Sequence, residues 1–139
     1  MNDAFKKRDL DLIKWLTRKE IEDKASQFSY KIDNKNKTAA VYRYLSKNPN
    51  ASIPRSIKYE NDEYIITAII DDPSYMKKII QNLKIDEHSK IVKIGDSIFS
   101  HGSIKSISIP ASVKYIGDFA FSNCSSLETI NFPKKSRIK

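Results

Sequence analysis

Apolar residues in the last third of the chain return at a long, fixed interval rather than at helical or simply alternating spacing. Residues 94–110, IGDSIFSHGSIKSISIP, superimpose on residues 116–133, IGDFAFSNCSSLETINFP. Ile94, Gly95, Asp96, Phe99 and Ser100 recur as Ile116, Gly117, Asp118, Phe121 and Ser122, 22 positions on. After one inserted residue near Cys124, Ile104, Ile107, Ile109 and Pro110 recur 23 positions on as Leu127, Ile130, Phe132 and Pro133. A weaker copy lies upstream, with Ile80, Leu83 and Ile85 placed 24 positions before Ile104, Ile107 and Ile109, and Asp86 where the proline would fall. A longer echo joins IDEHSKI at 85–91 to FPKKSRI at 132–138. Such a period marks a solenoid, in which a coil buries its apolar face only against its neighbours.

The spacing assigns each position a direction. In IKSISI and LETINF the apolar residues point into the coil and the intervening ones to solvent, and successive strands pair in parallel about 4.8 Å apart. Three inward columns follow: Ile80, Ile104 and Leu127; Leu83, Ile107 and Ile130; Ile85, Ile109 and Phe132. Pro110 and Pro133 close the strands, since proline lacks the N–H that a continuing ladder requires. Gly95 and Gly117 permit a tight or left-handed turn, leading into a short helical or 3-10 segment that buries Phe99 and Phe121 on the convex side. Cys124 reads as a small core hydrophobe in that segment.

Upstream of the repeats the pattern changes. Residues 3–26 read as a helix, capped by Asn2 or Asp3, with Phe5, Leu12, Ile13, Leu16 and Ile21 as a broken apolar stripe and Leu10 and Trp15 off it. FSYKI and TAAVYRYL read as a hairpin turned by Asp33, Asn34 and Asn36, and EYIITAII at 63–70 as a further strand. Tyr30, Tyr42, Tyr44, Tyr59 and Tyr64 fit sheet packing. The expected organisation is a helical extension over 1–27, a hairpin and degenerate first repeat over 28–78, and repeats over 79–139. Because FPKKSRI begins another coil just before Lys139, the repeats read as truncated, with an open C-terminal edge available for self-association.

The pattern L-x-x-I-x-I-P, a few residues, then V-x-x-I-G-x-x-A-F-x-x-C resembles the BspA-like leucine-rich repeats of surface proteins of mucosal bacteria and protists. SISIPASVKYIGDFAFSNCSSLETINFP at 106–133 matches over its whole length, and Ile53-Pro54-Arg55-Ser56-Ile57 looks like a degenerate first turn. The resemblance covers about residues 53–139 and is clearest from 79. It implies a β-rich α/β leucine-rich-repeat solenoid, right-handed, carrying the N-terminal helix and hairpin in front. It also implies adhesion or protein binding at a cell surface, with a host or extracellular-matrix protein as partner. Two departures stand out: Ser97-Ile98 precedes Phe99 where a small residue is usual, and DDPSYMKK at 71–78 replaces a G-x-x-A-F turn, so that coil is expected to be distorted.

Composition narrows the chemistry. A hydrophobic share of 40% with 30% charged residues is that of a folded domain. No stretch approaches a membrane span, and the charged start, MNDAFKKRDLDLIKWL, is not a signal peptide, which points to the cytoplasm where the resemblance points to the surface. One cysteine and two histidines, His88 and His101, cannot close a zinc site. Glu60, Asp62, Glu63, Asp71 and Asp72 have no histidine near them in sequence and read as loop charge, and with three glycines no phosphate-cradling loop is present. No catalytic residue and no cofactor is expected. The sequons at Asn36, Asn50 and Asn123 decide little without a leader.

A surface remains. Between the inward columns lie two outward rows, Gln81, Lys105 and Glu128, and Lys84, Ser108 and Asn131, which form the expected interaction face for a protein partner. The alternative is electrostatic binding of nucleic acid or another polyanion, favoured by the net charge of +8. The lysines are spread along the chain, however, and lack the arginine fork that reads phosphates and guanine edges.

Overall fold

The computed structural model describes residues 14–70 and 76–132. Alternation builds the first part. In KEIED, Ile21 is buried between half-exposed or exposed Glu20 and Glu22, and Lys19–Asp23 forms strand β1. Strand β1 pairs antiparallel with β2 (Phe28–Asp33), placing Ile21 opposite Tyr30, and β2 pairs antiparallel with β3 (Thr38–Tyr44). The helix expected over 3–26 is therefore absent from its described part: Lys14–Thr17 is one 3-10 turn, followed directly by β1. Residues 3–13 lie outside the described residues. The period of two in KEIED, completed by a partner strand, outweighs a stripe that paired Leu16 with Ile21. Leu16 is in fact exposed.

The hairpin turn is held by one side chain. Asp33 Oδ1 accepts the N–H groups of Lys35 (3.0 Å) and Asn36 (3.2 Å), and its Oδ2 accepts the Asn36 amide (2.9 Å). These donors make the backbone reversal independent of a glycine, and Lys37 takes the left-handed φ of 55°.

After the cap the chain winds. Strands β4 (Asn50–Ile53), β7 (Asn82–Ile85), β9 (Ser106–Ser108) and β11 (Thr129–Asn131) stack in parallel as a four-stranded sheet, ordered β11-β9-β7-β4. The second sheet runs β1-β2-β3-β6-β8-β10, with β6 spanning Asp62–Ile69, β8 Lys93–Ile94 and β10 Tyr115–Ile116. Strand β5 (Ser56–Tyr59) pairs with the first half of β6 and β8 with the second half. Strand β3 runs parallel to β6, so the cap extends one wall of the solenoid. A single helical turn, α1 (Met76–Ile79), leads into β7. The result is a β-rich solenoid of about three coils.

The inward columns form. Leu83 lies opposite Ile107 and Ile107 opposite Ile130, and β4 adds Ala51 opposite Leu83 and Ile53 opposite Ile85. The segment that runs into Ile53-Pro54 thus supplies an edge strand of the four-stranded sheet. Ile80, Ile85, Ile104 and Ile109 are buried, whereas Leu127 and Ile130 are half-buried and Phe132 is 51% exposed. Full burial of such a side chain contributes about 1.5–3 kcal/mol, so the first coils hold the stack.

Trp15 explains the segment before β1. It packs with Ala40, Tyr42, Ala68 and Ile70 on the far side of the cap sheet from the main core, where the two alanines leave room for the indole. The five tyrosines pack as expected: Tyr30, Tyr42, Tyr44 and Tyr64 are buried and Tyr59 half-buried.

The convex turns correct one expectation. No glycine takes a positive φ; the left-handed residues are Ser97 (59°) and His101 (58°), and one coil later Phe119 (60°) and Asn123 (56°). The glycine at 117 serves close approach instead. A Cβ there would lie 2.5 Å from the carbonyl carbon of Gly95 and as near to Asp96. Phe99 is buried and stacks on half-buried Phe121 at 5.5 Å, and the Cys124 thiol donates to the Phe99 carbonyl at 2.8 Å.

Candidate interaction face

Because Leu83, Ile107 and Ile130 point inward, their neighbours on each strand must point out. One outward row is Ser52, Lys84, Ser108 and Asn131: Ser52 lies opposite Lys84 and Ser108 opposite Asn131, and all four are exposed. The structure places Lys84, Ser108 and Asn131 in one outward row, which Ser52 extends.

Gln81, Lys105 and Glu128 also stack, at the N-terminal ends of the strands. The Gln81 carbonyl accepts the N–H of Lys105 (2.6 Å), and the Lys105 carbonyl accepts that of Glu128 (2.8 Å). They form the rim of the face rather than its middle, with Gln81 half-buried and the other two exposed.

Between these rows runs one that the sequence reading missed: Asn50, Asn82, Ser106 and Thr129, in register across all four strands. Its side chains are linked. Ser106 Oγ donates to Asn82 Oδ1 (2.8 Å), and Asn82 Nδ2 donates to Asn50 Oδ1 (2.8 Å). Counting back from inward Leu83 places Asn82 outward, so the signal was present in the alternation.

The face is polar and weakly charged, with Lys84 and Lys105 against Glu128. At the C-terminal ends of its strands a depression of 280 Å³ is lined by Glu87, Ser108 and Asn131 together with Ile85, Ile109 and Pro110.

Two of the carboxylates considered for chemistry are engaged with neighbouring side chains. Asp62 pairs with Lys37 at 3.0 Å, raising the lysine's pKa, and Glu63 accepts from Ser56 Oγ at 2.8 Å. Asp71 and Asp72 lie outside the described residues. Among the described residues no group of three His, Cys, Asp or Glu side chains is placed to hold a metal ion, and no helix is long and apolar enough to cross a membrane. The amides of Asn36 and Asn50 are engaged in hydrogen bonds, and Asn123 lies on the convex turn.

Residues 66–139 match the profile of the BspA type leucine rich repeat region, which spans six copies. No curated protein sequence matches the chain. Among solved structures, a leucine rich cell surface protein of Faecalibacterium prausnitzii A2-165 is 23% identical with a TM-score of 0.66, over 82% of this chain and 30% of its own. A leucine-rich repeat protein of Bacteroides ovatus is 23% identical with a TM-score of 0.64, over 84% of this chain and 30% of its own. One of Bacteroides capillosus is 23% identical with a TM-score of 0.54, over 82% of this chain and 98% of its own. The chain therefore spans under a third of the length of the first two. At this identity the likeness shows the fold.

Proposed function

Since this chain belongs to the BspA-type leucine-rich-repeat family, we propose that it is a non-enzymatic protein-interaction module that binds through the outward face of its four-stranded sheet. The observation that carries this reading is the register of that face. Three outward rows are held parallel by the ladder beneath them, and the middle row is tied by its own hydrogen bonds, so the surface is rigid before a partner arrives. Pre-organisation of this kind lowers the entropic cost of association. Gln81, Lys84, Lys105, Ser108, Glu128 and Asn131 are the contact residues, joined by Asn82 and Ser106.

The partner is a protein, and adhesion at a cell surface is the form the interaction takes in this reading; the F. prausnitzii neighbour is described as a cell surface protein. A host or matrix protein fits that setting. Residues 79–139 supply the repeat face, and 28–78 supply the hairpin and first coil. The crossovers are taken as right-handed, the hand that parallel connections nearly always adopt.

Charge reversal tests the face. Lys84→Glu with Lys105→Glu weakens binding to a protein partner recovered by pulldown by about tenfold, while unchanged affinity would place the site elsewhere.

A further inference from the structure

The two sheets are treated differently at their N-terminal side. The cap strands extend the seven-stranded sheet, but the four-stranded sheet ends at β4, which among the described residues pairs only with β7. That pairing uses alternate residues. The Pro49 carbonyl accepts the Asn82 N–H at 3.0 Å and the Ile53 carbonyl accepts the Asp86 N–H at 3.0 Å. Alternation along a strand then turns the backbone groups of Asn50 and Ser52 to the free edge. Asn50 is answered locally: its N–H donates to Asn48 Oδ1 at 2.9 Å, and its carbonyl accepts the Tyr44 hydroxyl at 3.5 Å. Ser52 has no such partner among the described residues, and an open edge pair is a template for another strand.

Ser52 opens on a groove of 580 Å³ between β4 and the β1–β2 turn, also lined by Ala25, Ser26, Pro54, Lys58 and Lys84. Ala25 and Ser26, in the turn between β1 and β2, line this groove together with β4. Charge selects among the strands that could pair there. Lys58 and Lys84 make no ion pair among the described residues, whereas the two carboxylates in the lining, Asp23 and Asp86, already accept the N–H groups of Ser26 (3.0 Å) and His88 (2.7 Å). The net charge of +8 favours the same sign of partner.

We propose that this groove binds an extended, acidic peptide segment that adds to β4 as a further strand, pairing with the Ser52 backbone and directing carboxylates to Lys84 and Lys58. The site borders the interaction face and shares Lys84 with it, but it rests on the strand edge and stands without that face. Main-chain pairing supplies affinity and the lysines supply selectivity, as in other strand-addition sites.

The test is an NMR titration of the isotope-labelled full chain with an acetylated, amidated peptide of alternating Val and Glu, and with its Val–Lys counterpart. The Val–Glu peptide is expected to shift the amides of Ala25, Ser26, Ser52 and Lys58 and to bind about tenfold more tightly than the Val–Lys peptide. Ser52→Pro removes the edge N–H, which takes no part in the β4–β7 ladder, and weakens binding about tenfold while the β7 and β9 resonances stay in place. Lys58→Glu, on an exposed side chain, weakens it similarly and serves if the proline variant does not fold. Lys105→Glu leaves it unchanged, which separates this site from the face. Absence of shifts at Ser52, shifts confined to the outward rows of β7, β9 and β11, equal affinity for the two peptides, or full affinity of the folded Ser52→Pro variant or of Lys58→Glu would each overturn the proposal.

Discussion

Gly117 packs so closely on Asp96 of the preceding coil that a single added methyl group would overlap its backbone nitrogen and carboxylate. The contact is paired with a hydrogen bond, from the Asp118 N–H to Asp96 Oδ1 at 2.7 Å, and with another from the Gly117 N–H to the Ile94 carbonyl at 2.7 Å. Two coils therefore meet backbone to backbone at this point, and the repeated I-G-D is the sequence mark of it.

Gly117→Ala is expected to destabilise the chain by about 2 kcal/mol, through overpacking rather than through a forbidden φ. Urea unfolding followed by circular dichroism reads this. A variant as stable as the parent would mean that the coils can separate there at no cost.

Asp33 gives the cap a pH dependence. Burial alone would raise its pKa, but the N–H groups of Asn36 and Lys35, the Asn36 amide and the Arg18 guanidinium at 3.9 Å hold it below the ordinary carboxylate value. A folded pKa lower than the unfolded one, about 3.9, means that the contribution is complete above that value and is lost as pH falls through the folded pKa. Asp33→Ala should cost about 1 kcal/mol near neutral pH. It should also remove part of the loss of stability that the parent shows below about pH 4. Parallel stability–pH curves for the two proteins would contradict this.

Trp15 is the single tryptophan of the chain, and its indole is only 6% exposed. Its emission should be blue-shifted in the folded protein and move to the red on unfolding. Trp15→Ala, which uncovers Ala40, Ala68 and Ile70, is expected to cost about 3 kcal/mol. Red-shifted emission under native conditions would show that the 3-10 turn does not lie on the sheet.

The repeats were legible because each inward column needs an apolar residue at nearly the same interval, so Leu83, Ile107 and Ile130 declare their own register. The residues around Trp15 were not. Leu12, Ile13 and Leu16 have the three- and four-residue spacing of a helix face, and only the pairing of Lys19–Asp23 with Phe28–Asp33 shows that the chain is already a strand by Ile21. Left-handed backbone at Ser97 and Phe119 was hidden for another reason. Coil closure imposes φ there on residues with no intrinsic preference for it, whereas glycine at 117 answers a packing demand. On the face, the alternation already places Asn82 outward, but the extension of its row to Asn50 emerges only once β4 is known to join the sheet.

The proposal that the four-stranded sheet presents the binding surface is tested most directly by position-specific photo-cross-linking. A benzophenone side chain placed at Ser108, on the face, is compared with one at Ser125, in the turn before β11; both sites are exposed. The account predicts that Ser108 captures a partner protein, that Lys84→Glu with Lys105→Glu reduces the capture, and that Ser125 captures none of that protein. Capture from Ser125 alone, or equal capture from both positions, would contradict it.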